Sequence, residues 1–123
     1  MNAEFFLWVN AVLYAVFAVW CAANPTGTAN FSGLSFLNVN GRSEYFALYV
    51  GLQGAWAVMF AVCALNPDLV YAGIFYSVFL YAGVVLGRWI SIFQKGVAVN
   101  SVYIIAILEL ILGAWSVLLL TNF

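Results

Sequence analysis

Apolar and polar residues segregate along this chain on the scale of whole helices. Apolar residues fill the runs Phe5–Ala23, Tyr45–Leu65, Leu69–Phe93 and Asn100–Thr121, and polar residues collect between them. Each run has close to the roughly 20 residues that a helix needs to cross the hydrocarbon core of a bilayer. The boundaries are sharply punctuated. The only two prolines, Pro25 and Pro67, follow Asn24 and Asn66, where a residue that cannot continue a helix stops it. The fragments Cys21–Pro25 and Cys63–Pro67 look alike, but they end helices on opposite sides, so they read as a shared stop signal and not as a repeat.

The connections Asn66–Asp68 and Gln94–Val99 are short, which makes consecutive helices antiparallel neighbours. The connection 24–43 is long. Its start is small and polar, and Phe31, Leu34, Phe36, Leu37 and Val39 make its middle apolar. Such a segment is expected to lie on the membrane surface or cap the helices. The pattern therefore predicts an all-α protein, an integral membrane four-helix antiparallel bundle, with residues 1–123 as one transmembrane domain.

Composition agrees. The chain is 67% hydrophobic, and its 3 basic and 4 acidic residues leave a net charge of −1. Soluble domains carry about 25% charged residues, so seven charges exclude a soluble domain, a disordered tail and a nucleic-acid binder with a basic face. The N-terminal run lacks the basic flank of a signal peptide and carries Glu4 instead, so it is read as a retained helix. The absence of histidine removes the commonest general base and metal ligand, and no metal or other cofactor is expected. The two cysteines, Cys21 and Cys63, lie in different apolar runs and read as buried free thiols. Arg42, Arg88 and Lys95 gather towards one side of the bundle, and Glu4 and Asp68 towards the other. The positive-inside bias then places the long connection in the cytoplasm and the termini outside, most simply in a bacterial inner membrane.

The polar residues within the runs are the candidate site. Charges inside a membrane are costly and usually face a partner in the bundle interior. Arg88 lies about 7 Å deep from the end of the third run, and Glu109 about 13 Å deep from the same side. Helical side chains lean towards their own N-terminus, so in antiparallel helices these two lean at each other. Glu44, at the start of the second run, is a shallower third member. Ser77, Tyr81, Arg88 and Lys95 share one face of the third helix; Glu109, Gly113 and Ser116 share one of the fourth; Asn10, Tyr14, Phe17, Cys21 and Asn24 form the polar stripe of the first. On the second helix Tyr45, Tyr49, Trp56 and Phe60 form an aromatic stripe, expected to contact lipid, a partner helix, or a flat ligand such as a pigment or quinone.

The segment Glu44–Leu52 (EYFALYVGL), followed by Gly87-Arg88 and Glu109-Leu110, resembles domain-of-unknown-function family 4345, small four-helix bacterial membrane proteins. The resemblance spans residues 5–121 and includes Pro25; Val50 departs from it, where a second glycine is expected beside Gly51. It implies the four-helix fold and the importance of Glu44, Arg88 and Glu109, and it implies no reaction. The residues themselves lack a nucleophile or metal constellation, and a carboxylate held by an arginine is a poor base. The expected function is a non-catalytic accessory or scaffold subunit of a larger membrane complex. The alternative is a homo-oligomeric carrier or channel that uses Arg88 and Glu109 as a solute or proton site.

Overall fold

A computed structural model describes residues 2–123, and among these four helices are long and apolar enough to cross a membrane. Helix α1 spans Ala3–Ala23. A short helix α2 (Pro25–Phe31) follows directly. Helix α3 runs continuously over Val39–Leu65. Helix α4 (Val70–Lys95) is entered through a single 3-10 turn, Pro67–Leu69, and α5 spans Ser101–Thr121.

The two Asn-Pro pairs act as joints, starting the next segment as well as stopping the last one. The Asn24 backbone N–H closes α1 on Trp20 O, while the Asn24 side chain accepts from Gly27 N at 3.1 Å and caps α2. Asn66 likewise closes α3 on Val62 O and accepts from Asp68 N at 3.1 Å. In both, proline follows the cap, in the first turn, where its missing N–H is not needed.

The second span differs from its sequence expectation. It begins at Val39 and not at Tyr45, because the Asn38 side chain accepts from Asn40 N and Gly41 N and caps a helix through the polar stretch. Hydropathy marks only where that helix becomes apolar. The long connection therefore reduces to α2 and the residues between Phe31 and Val39. Its apolar members divide: Phe31 packs on Trp20 and Phe36 on Tyr45, whereas Leu37 is 93% exposed and Val39 81%.

Within α3, Phe46–Leu52 is π-helical. The switch back to α-helix turns the Gln53 N–H to Val50 O, and the Gln53 side chain donates to Tyr49 O at 3.0 Å. A polar side chain thus satisfies a carbonyl at the register change, a requirement where no water reaches the backbone. Arg42 covers the entry, with its guanidinium carbon 4.3 Å from the centre of the Phe46 ring.

α1 packs along α3, and α4 along α5. At one end of the bundle the ring of Tyr71, early in α4, lies 5.2 Å from that of Phe123, beyond α5; at the other, Ser101 Oγ donates to Phe31 O at 2.6 Å. The interior is filled by Phe6, Leu7, Phe60, Ile74, Tyr81 and Leu112 from all four spans. Lipid tails are as apolar as these side chains, so close packing, and not the hydrophobic effect, holds the helices together. Gly73 shows how close: a Cβ there would stand 2.9 Å from both Cys63 Cβ and Leu7 Cδ2.

Candidate functional site

The polar stripes of α1, α4 and α5 meet inside the bundle in two layers. In the first, Asn10 and Tyr81 are fully or almost fully buried. Tyr81 donates its hydroxyl to Asn10 Oδ1, Tyr14 donates to the Tyr81 hydroxyl at 3.1 Å, and Asn10 Nδ2 returns to Phe6 O at 2.9 Å. The buried Ser77 and Ser116 hydroxyls donate to Ile74 O and Gly113 O, both at 2.7 Å. The layer is a closed hydrogen-bond chain that ties α1 to α4, with hydrophobic side chains above and below it.

The second layer lies about 10 Å further along α4, two helical turns beyond Tyr81. Arg88 Nε donates to Glu109 Oε1 at 2.5 Å and its Nη2 to Oε2 at 3.0 Å. The pair is bidentate, the strongest arrangement of these groups, and is the ion pair found among the described residues. The Arg88 side chain keeps 28% of its surface exposed and Glu109 16%, so the layer is sheltered without being sealed.

Glu44 does not join it. It is exposed on the outer surface of α3 and makes no ion pair among the described residues. The reason is helix register: Tyr45 takes the inward face of α3 at that level, and Glu44, one residue earlier, stands about 100° round the helix from it. The Tyr45 hydroxyl meets Thr28 Oγ1 at 2.5 Å and its ring stacks on Tyr49 at 4.5 Å, pinning α2 against α3.

The aromatic stripe of α3 also corrects its expectation. Tyr45 and Phe60 are buried, and Tyr49 and Trp56 are half-buried. Phe60 stacks on Tyr14, Trp56 meets Tyr14 edge-on at 5.4 Å, and Trp56 Nε1 donates to Tyr76 at 2.9 Å. These rings pack against the protein's own helices, so Tyr45 and Phe60 offer no surface to a partner or a flat ligand. The exposed aromatic ladder lies on α4, where Tyr71, Phe75 and Phe79 stand one turn apart with ring centres 6.0 and 5.1 Å from each other. Sequence reasoning passed over it, although its four-residue spacing is plain. Cys21 and Cys63 are buried free thiols.

Four apolar spans with Asn10, Ser77, Tyr81 and Ser116 buried between them define a small all-helical integral membrane protein. Residues 3–120 match the family described as Domain of unknown function (DUF4345), and the chain belongs to that family. No curated protein and no solved structure matches it.

Proposed function

We propose that this protein is a non-catalytic accessory or scaffold subunit of a larger membrane complex. The observation that carries the reading is the ladder Tyr71–Phe75–Phe79. It extends along the outside of α4 and is continued at one end by Phe123. Large aromatic rings presented in register are the groups that dominate contact energies between proteins. The interior supports the same reading. Its hydroxyls and its Asn10 amide are bonded to one another or to backbone, and Arg88 and Glu109 neutralise each other.

A homo-oligomeric carrier working through Arg88 and Glu109 is the second reading, favoured by the partial exposure of that pair. Against it stands the filled layer of Phe6, Leu7, Phe60 and Ile74, each with none of its surface exposed. The charge asymmetry supports an orientation with α2 on the cytoplasmic side and both termini outside, in a bacterial inner membrane.

A photoreactive amino acid at Phe79, activated in native membranes, tests the reading. The expected product is a discrete adduct with a second polypeptide, absent when the probe stands at Val58 on α3. Adducts with lipid alone, or with a second copy of this chain alone, would overturn it.

A further inference from the structure

We propose that the end of the bundle beside Arg88 is a binding site for a phosphate group. An open recess of about 250 Å³ lies there, between the segment after α2 and the turn joining α4 to α5. Its wall includes Arg88, Ser32, Ser91 and the segment Val97–Val99. The inference does not rest on the assembly reading above.

Three observations point to an acceptor-rich anion. Arg88 spends Nε and Nη2 on Glu109, which leaves Nη1 outside both bonds. The hydroxyls of Thr28, Ser77, Ser101, Ser116 and Thr121 all donate to backbone carbonyls, whereas those of Ser32 and Ser91, like the exposed Thr26, Ser35 and Ser43 outside the recess, have no protein partner among the described residues. The N–H groups of Val97, Ala98 and Val99 have no backbone partner either. Residues that carry donors of three kinds thus line one recess, and Glu109, the carboxylate bonded to Arg88, is already held. Lys95, exposed two turns further along α4 and next to the lining residue Gly96, adds a positive charge at this end of the bundle.

The recess is built by two special backbone positions. Gly33 and Gly96, which both line it, are the residues with positive φ among those described, at +79° and +76°. Gly96 ends α4 on Ile92 O and turns the chain so that Val97–Val99 run along the recess. A side chain at either glycine would be strained. Exposed backbone N–H groups beside a guanidinium are a recurring way to hold phosphate oxygens, and basic pockets between spanning helices take lipid headgroups. The phosphate can belong to an anionic phospholipid or to a free phosphate compound.

The test uses the full chain in phosphatidylcholine nanodiscs. Native mass spectrometry measures retention of phosphatidic acid and phosphatidylglycerol over phosphatidylcholine, and thermal unfolding measures stabilisation by inorganic phosphate. The probe variant is the double change Ser32→Ala and Ser91→Ala, which removes hydroxyls that hold nothing in the protein and keeps the ion pair. Its helicity and melting without ligand should equal those of the unchanged chain. Losing two hydrogen bonds should weaken binding about tenfold or more. Selective lipid retention that falls in the variant identifies a lipid headgroup. Stabilisation by inorganic phosphate that falls in the variant, with no lipid selectivity, identifies a free phosphate compound. Absence of both responses, or responses the variant leaves unchanged, overturns the proposal.

Discussion

Breaking the Arg88–Glu109 pair one side at a time should cost much more than removing it whole. Arg88→Met leaves a carboxylate inside the bundle, and Glu109→Leu leaves a guanidinium. Breaking a buried pair costs about 3–5 kcal/mol. This one keeps 28% and 16% of its side-chain surfaces exposed, so either stranded charge recovers some solvation and the expected cost falls to about 2–4 kcal/mol. The double variant strands nothing and gains two apolar side chains in an apolar setting, and should come within about 1 kcal/mol of the unchanged protein. The coupling energy, the two single losses together less the loss in the double variant, should then be about 3 kcal/mol or more, well outside the scatter of independent sites. Unfolding in mixed micelles of increasing denaturing-detergent fraction, followed by circular dichroism, measures all four forms. Single losses that simply add, to within about 0.5 kcal/mol, would show that the two side chains are not energetic partners.

Three further outcomes follow from the same structure. Tyr81→Phe removes the hydroxyl that both Asn10 and Tyr14 use and should lower stability in the same assay by about 1–2 kcal/mol; an unchanged midpoint would mean the chain of hydroxyls carries no energy. Gly73→Ala places a Cβ 2.9 Å from Leu7 Cδ2 and Cys63 Cβ and should cost about 1–3 kcal/mol, part of it restored when Leu7 is also changed to Ala. For orientation, a cysteine at the exposed Leu37, in a chain whose two native cysteines are alanine, should resist an impermeant thiol reagent applied outside the cell, while one at Asn122 reacts; the reverse pattern inverts the assignment.

Much of the fold was legible because a membrane span writes itself in length and polarity. The four runs, the Asn-Pro boundaries and the opposed lean of Arg88 and Glu109 follow from helix rise and side-chain direction alone. The polar stripes were legible too: a small hydroxyl or an amide deep in a span has no good place on a lipid-facing surface, so Asn10, Ser77 and Ser116 are buried and Tyr14 and Tyr81 bond inside, whereas the larger, mostly apolar rings of Tyr71, Tyr76 and Tyr103 also face outward. Apolar stripes carry no such sign. In water an aromatic stripe betrays the core, but in a bilayer both faces of a helix are apolar, and periodicity does not tell the inward ladder Tyr45–Phe60 from the outward ladder Tyr71–Phe79. The π-helical segment Phe46–Leu52 adds a second difficulty, since it shifts the register of everything after it without a sequence mark beyond the Gln53 that repairs it. Glu44 stands apart for a third reason: its charge and depth mark it as a site residue, but with Tyr45 turned inward its own position, about 100° round the helix, lies on the outer surface.

The most direct test of the assembly reading is the mass and composition of the particle that contains this chain when it is cut from its native membrane in a polymer-bounded disc, without detergent. The account predicts a particle well above the 13.5 kDa of one chain, holding at least one other polypeptide in fixed ratio. That polypeptide should be lost when Tyr71, Phe75 and Phe79 are changed together to Leu. A particle containing this chain and lipid alone, as monomer or oligomer, would contradict it.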